Sequence, residues 1–112
     1  MTERRLERLR TRLAAEDLGA ILVSQPESRR YISGFNGSAG YLLISAEQAL
    51  LATDFRYTEQ AGRQSPTFEV VQTSGGMGSW LPDLLGRLGS SRLAFEAEHL
   101  TVGSHQRLRE AL

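Results

Sequence analysis

Short apolar runs alternate with amphipathic segments along this chain, and that alternation limits the folds it can adopt. Three of the runs are apolar at nearly every position, as the strands of a covered sheet are: Ala20–Val23, Tyr41–Ile44 and Ala49–Thr53. A first helix is indicated by leucines that recur at helical spacing among charged residues: Leu6, Leu9 and Leu13. Strands that alternate with helices predict an α/β domain with a parallel or mixed sheet and helices on its faces.

The whole pattern predicts the order α-β-α-β-β-α-β-α-β-α. The 112 residues fit one domain, 1–112, and their 40% hydrophobic content can build a core without disulfides or metal. The two middle strands are predicted to form a hairpin. The other predicted elements are a helical turn over Glu27–Ile32, a helix over Phe55–Gln64 capped by Asp54, a strand over Phe68–Thr73, a helix capped by Ser79, a strand over Arg92–Glu96 and a helix capped by Thr101.

Charge and cysteine content argue against several functional classes. The 13 basic residues are all arginine and are balanced by 13 acidic ones, so we expect neither nucleic-acid nor membrane binding to dominate. The arginines of the first helix are interrupted by glutamates, which is typical of a solvated face. The absence of cysteine excludes thiolate metal sites and cysteine nucleophiles. With no visible signal peptide or spanning segment, we expect a cytoplasmic protein.

A glycine-rich loop joins the second helix to the second strand. Gly34, Gly37 and Gly40 do not have the spacing of a dinucleotide-binding loop, and the loop leaves a helix rather than entering one. One interpretation is a tight turn in which the glycines supply positive φ angles. The other is that Phe35 and Asn36 are presented on a fixed loop to a partner surface.

The segment 54–57 is the sharpest candidate site. Asp54 directly follows the strand Ala49–Thr53, and ligands of open α/β sheets gather beyond the carboxyl ends of strands. Arg56 would fall in the first turn of the next helix, where the helix dipole disfavours a cation by about 0.3–1 kcal/mol. It could pair with Asp54 or offer its planar fork to a carboxylate.

Other catalytic centres are poorly supported. Ser38 lacks the glycine two residues earlier that a nucleophile elbow requires, and His99 and His105 lack the spacing of a helical metal site. Three acidic residues follow predicted strands and could gather as nuclease ligands, but the first strand carries no acidic residue: Asp54, Glu96 and Glu98. We therefore expect no catalytic residue and no metal site in this chain.

Two segments together resemble one known family. Arg30–Gly40 and Ala52–Ala61 are similar, at this separation, to the N-terminal domain of Xaa-Pro aminopeptidases, prolidases and creatinases. The resemblance covers essentially the whole chain and implies a ribonuclease-H-like, three-layer α/β/α domain with a mixed sheet of about five strands. It also implies a separate C-terminal catalytic domain of pita-bread fold, absent from 1–112, which binds two divalent metals (manganese, cobalt or zinc).

The function that the resemblance implies is that of a non-catalytic domain in a cytoplasmic, metal-dependent Xaa-Pro exopeptidase of aminopeptidase P or prolidase type. Such a domain packs in a homodimer and restricts short proline-containing peptides at the active site. Arg56 is carried over as substrate-proximal, with Asp54 as its orienter and Phe35 and Asn36 as second choices. The alternatives are a stand-alone interaction module and the N-terminal domain of a creatinase-like hydrolase without peptidase activity. For each of these three functions we expect this chain alone to be inactive as an enzyme.

Overall fold

The computed structural model describes residues 2–89 and 93–95, which form four helices and five strands. The elements are α1 (Thr2–Ala15), β1 (Ala20–Val23), α2 (Pro26–Ser33), β2 (Tyr41–Ser45), β3 (Ala49–Thr53), α3 (Thr58–Gln64), β4 (Glu69–Gln72), α4 (Met77–Leu88) and β5 (Leu93–Phe95). The predicted order is confirmed through the fifth strand. The predicted final helix lies outside the described residues, as do Glu96, Glu98, His99, Thr101 and His105.

The five strands form one mixed sheet in the order β4-β3-β2-β1-β5. The consecutive strands β1, β2 and β3 pair antiparallel, so the predicted hairpin between β2 and β3 is confirmed. The outer strands β5 and β4 pair parallel with β1 and β3. Leu43 of β2 lies opposite both Leu22 of β1 and Leu50 of β3, which places three leucines side by side at the centre of the sheet.

Helices cover both faces of this sheet, because neighbouring strand residues point to opposite sides and both sides are apolar. On one face, α4 packs four buried side chains against the central leucines: Trp80, Leu81, Leu84 and Leu85. On the other face, Leu6 of α1 and Ala61 of α3 pack against Val23, Leu42 and Leu51. The predicted three-layer α/β/α domain is thereby confirmed. None of the helices in 2–89 combines the length and apolar character that membrane crossing requires.

The helix α3 begins later than the sequence predicts. Residues 54–57 form a turn, closed by a hydrogen bond from the Tyr57 backbone N–H to the Asp54 carbonyl oxygen (3.0 Å), and the helix starts at Thr58. The prediction that Asp54 caps a helix starting at Phe55 is therefore wrong. Short acidic side chains stabilise turns and helix starts through the same contact with a nearby backbone N–H, so the two outcomes share one sequence signal.

The helix α4 begins earlier than predicted, at Met77 instead of after Ser79. The Ser79 hydroxyl lies inside the first turn and donates to the carbonyl oxygen of Gly76 (2.6 Å). A helix cap must instead accept a hydrogen bond from a backbone N–H, so Ser79 is not the cap that the sequence predicts.

Candidate functional site

The turn that follows β3 carries an exposed ion pair. Asp54 Oδ1 accepts hydrogen bonds from the backbone N–H of Arg56 (3.0 Å) and from its Nε (3.0 Å), and Oδ2 accepts from Nη2 (2.8 Å). The side-chain hydrogen bond between the two residues lowers the pKa of Asp54 and raises the pKa of Arg56 from their ordinary values. An exposed pair of this kind adds little to stability. Its two-point geometry instead fixes the direction of the guanidinium.

The structure places Arg56 two residues before α3, not in the first helical turn as the sequence predicts. The argument from an unfavourable helix dipole therefore does not apply to it. Asp54 engages the Nε edge of the guanidinium, which leaves the Nη1 donors for a ligand. The Arg56 side chain is 58% exposed, so a carboxylate can reach those donors from solvent.

The glycine loop lies directly beside this turn. Asn36 Oδ1 accepts a hydrogen bond from Gln60 Nε2 (2.8 Å), and the Asn36 backbone N–H donates to Gln64 Oε1 (3.1 Å). The Ser38 and Tyr57 hydroxyls are hydrogen-bonded to each other. These contacts hold the loop, the turn and α3 together as one polar surface. Asn36 is exposed on that surface.

Two aromatic residues neighbour Arg56 in the sequence, Phe55 and Tyr57. The guanidinium carbon lies 5.1 Å from the centroid of the Tyr57 ring, within the range of a cation–π contact. The Phe55 ring is 74% exposed, which makes it an apolar group on an otherwise polar turn. No sequence pattern marks Phe55 as a site residue, and only its exposure identifies it. The turn therefore carries both a fixed cation and an accessible aromatic ring.

Phe35 is fully buried, with no exposed surface, and belongs to the core on the α1 and α3 face of the sheet. Its ring meets the Tyr57 ring edge-on, with centroids 6.2 Å apart. The expectation that Phe35 is presented to a partner surface is therefore wrong, because burial of an aromatic ring is more favourable than its exposure. Its place under the loop lets it support Asn36 instead.

The three loop glycines are required for two different reasons. Gly34 ends α2 with φ +83°, a left-handed conformation that favours glycine, and donates its N–H to the Arg30 carbonyl oxygen (2.8 Å). Gly37 and Gly40 do not have a left-handed φ. They lie against the Phe35 ring, and a Cβ at Gly37 would come 2.2 Å from its Cζ. The turn interpretation is correct for Gly34, whereas Gly37 and Gly40 are needed for space.

We expect Gly37→Ala to lower the free energy of unfolding by about 1–3 kcal/mol, because the added methyl group overlaps the buried Phe35 ring. Urea denaturation followed by circular dichroism measures the change. Gly62→Ala in α3 is the control, since its Cβ would meet no atom within 4 Å. It should leave stability unchanged or raise it slightly. Equal stability of the two variants would contradict the packing of the loop on Phe35.

Arg29 belongs to this region, although no sequence pattern marks it. Its side chain is only 4% exposed, and burial lowers its pKa from the ordinary value. Nη1 donates to the Gly40 carbonyl oxygen (2.8 Å) and Nη2 to the Gly37 carbonyl oxygen (2.8 Å). The two ion pairs of the described residues involve other arginines, so loop carbonyls rather than a carboxylate stabilise this cation. Arg29 thereby fixes the backbone of the loop from below.

The described residues do not fit a metal centre. No group of three or more histidine, cysteine, aspartate or glutamate side chains within 2–89 and 93–95 could hold a metal ion. The Asp54 carboxylate is already engaged by Arg56 through both oxygens. The free Nη1 donors of Arg56 can bind and orient an anionic ligand.

Comparison with known proteins identifies the family. Residues 5–112 match the family model described as the creatinase/prolidase N-terminal domain. The chain belongs to this family. As a creatinase/prolidase N-terminal domain, it is 37% identical over 101 residues to the uncharacterized peptidase YqhT of Bacillus subtilis (strain 168), covering 90% of this chain and 29% of that protein.

Two solved structures show the same domain. The Xaa-Pro dipeptidase from Bacillus anthracis superposes with a TM-score of 0.95 at 37% identity, over 100% of this chain and 32% of that one. The N-terminal domain of the cytoplasmic peptidase PepQ from Mycobacterium tuberculosis H37Rv gives a TM-score of 0.86 at 40% identity, over 96% of this chain and 84% of that one. The creatinase/prolidase N-terminal domain thus spans less than a third of YqhT and of the Bacillus anthracis dipeptidase.

Proposed function

We propose that this domain positions and restricts short peptides in a metal-dependent Xaa-Pro exopeptidase of aminopeptidase P or prolidase type. Its family and its similarity to the Xaa-Pro dipeptidase from Bacillus anthracis support this proposal. Because the chain spans less than a third of that dipeptidase, we assign the chemistry to a C-terminal catalytic domain of a longer protein. The domain itself is the non-catalytic part.

The observation that carries the proposal is the fixed, exposed guanidinium of Arg56. Asp54 holds one edge of it, and the free Nη1 donors suit the C-terminal carboxylate of a peptide. The adjacent Phe55 ring suits the apolar side of a proline, which has no N–H to contribute. Only a short peptide has its carboxylate close to the scissile bond, so a carboxylate-binding arginine at the active-site mouth selects by length. Asn36 and the loop border the same surface.

The remaining parts of the proposal concern the longer protein. Two divalent metal ions (manganese, cobalt or zinc) held by the catalytic domain would activate the attacking water. The described residues of this chain contain no group of side chains that could bind them. Packing of the N-terminal domain in a homodimer would bring Arg56 to the active site of the neighbouring subunit. A cytoplasmic location agrees with the name of the Mycobacterium tuberculosis relative.

We expect Arg56→Ala in the longer protein to lower kcat/KM for Xaa-Pro di- and tripeptides about 10- to 100-fold, because a charge-assisted hydrogen bond contributes about 1.5–3 kcal/mol. C-terminal amides of the same peptides should be affected far less, since they lack the carboxylate. Steady-state kinetics on both substrate sets, with manganese, measures the difference. Arg63→Ala, an exposed arginine of α3 outside the 54–57 turn, is the matched control.

Two results would contradict the assignment of Arg56 as the residue that binds the peptide carboxylate. One is unchanged kcat/KM on the free acids. The other is an equal loss on acids and amides, which would mean that the arginine acts on something other than the carboxylate. Thermal unfolding of the variant should match that of the wild type, because the pair is exposed.

A further inference from the structure

A groove between α1 and α2 shares no residue with the surface around Arg56. Its volume is about 600 Å³, within the range of ligand-binding clefts. Its apolar floor comes from both helices: Leu9, Tyr31 and Ile32. Its rims are polar, with three arginines from α1 and two residues from α2: Arg5, Arg8, Arg12, Glu27 and Ser28.

One wall of the groove is held rigidly. Arg5 Nη1 donates to the Tyr31 carbonyl oxygen (2.7 Å), and the Arg5 guanidinium lies 4.0 Å from the centroid of the Tyr31 ring. These two contacts bridge α1 and α2 and fix a cation at the edge of the apolar floor. Tyr31 nevertheless remains 53% exposed, so its ring is accessible from the groove. The wall is therefore formed before any partner arrives, which lowers the entropic cost of binding.

The groove has a local positive charge that the whole chain lacks. The lining contains three arginines and one glutamate, a net charge of +2, whereas the complete sequence is neutral. The ion pairs of the described residues are Arg56–Asp54 and Arg87–Glu69, and neither involves an arginine of the groove. The one acidic side chain of the lining is Glu27. The electrostatic complement of this surface is therefore an anionic partner.

We propose that the α1–α2 groove docks an acidic amphipathic segment of another protein. The apolar side of that segment would pack on Leu9 and Ile32, and its carboxylates would pair with Arg8 and Arg12. The groove is concave and has an apolar floor, so it can accept the row of apolar side chains on one face of an amphipathic helix. A flat lipid surface or a phosphate backbone would fit it less well.

Fluorescence anisotropy with the 112-residue chain tests this surface directly. The probe is a labelled synthetic peptide of about 14 residues, with leucines at helical spacing and glutamates beside them. Versions with glutamine or lysine in place of glutamate control for charge. The groove variant is Arg8→Glu with Arg12→Glu. Its matched control is Arg4→Glu with Arg63→Glu, which changes the charge equally at exposed arginines outside the groove.

We expect the acidic peptide to bind, and the groove variant to weaken its binding about ten-fold or more while the control stays within about two-fold. Three results of the peptide titrations would overturn the proposal: no binding of the acidic peptide, equal binding of the glutamine peptide, or equal effects of the two double variants. Binding of phosphatidylserine vesicles in place of the peptide would overturn it in favour of a membrane. Self-association lost in the groove variant, measured by sedimentation, would overturn it in favour of a second copy.

Discussion

Phe35→Ala is expected to lower the free energy of unfolding by about 3–5 kcal/mol, the range for removing a buried aromatic side chain. The Phe35 ring has no exposed surface and packs among β-strand side chains, the Tyr57 ring and the backbone at Gly37 and Gly40. A truncated side chain would leave a cavity that the rigid glycine loop cannot fill. Because domains of this size are stable by about 5–15 kcal/mol, the loss would be a large fraction of the total. Chemical denaturation of the 112-residue chain measures it.

Phe55→Ala is the matched control for this prediction. It removes the same ring from a position that is 74% exposed, so we expect a change within about 0.5 kcal/mol. A cost for Phe35→Ala below about 1 kcal/mol would contradict its place in the core. So would a larger effect from Phe55 than from Phe35.

Arg29→Met is expected to cost about 2–4 kcal/mol, because it leaves the carbonyl oxygens of Gly37 and Gly40 buried without their donors. Methionine keeps the apolar volume of the side chain, and the loss of a buried cation without a carboxylate partner offsets part of the cost. Denaturation curves give the free energy. Amide hydrogen exchange in the loop gives a local measure, since a loop released from Arg29 should exchange faster.

Arg30→Met is the control for Arg29, because it removes the neighbouring arginine of the same helix from an exposed position. We expect it to change stability by less than about 0.5 kcal/mol. Equal stability of Arg29→Met and Arg30→Met, together with unchanged hydrogen exchange in the loop, would contradict the role of the buried arginine in holding the loop. An Arg29 variant with unchanged stability but faster amide hydrogen exchange in the loop would instead show that Arg29 stabilises the loop without contributing to the stability of the whole domain.

The strands could be predicted from the sequence because burial on both faces requires a run of consecutive apolar residues. Ala20–Val23 and Ala49–Thr53 have in the structure the bounds that the apolar runs predict, and β2 differs only by including Ser45. In each run the neighbouring residues point to opposite apolar layers, so nearly every position is apolar. The helix starts were harder, because the polar residues that cap helices also stabilise turns.

The supports of the candidate site could not be predicted in the same way. Arg29 and Arg30 are adjacent arginines in one short helix, and only the rotation of α2 against the loop buries the first and exposes the second. The glycines and Asn36 beside Phe35 left two interpretations of the loop open, a tight turn or a presented aromatic side chain. The relevant signal was that glycines around an aromatic residue can mark close packing as well as a turn. The contact of Asp54 with Arg56 was one of two open possibilities, and the structure shows the pair.

The central claim is that this domain serves peptide hydrolysis without performing it. The most direct test compares the 112-residue chain with the longer protein that contains it, on Xaa-Pro di- and tripeptides in the presence of manganese. We expect hydrolysis by the longer protein and none by the 112-residue chain. Hydrolysis by the 112-residue chain would contradict the assignment of the chemistry to another domain, and hydrolysis by neither protein would contradict the role in an Xaa-Pro exopeptidase.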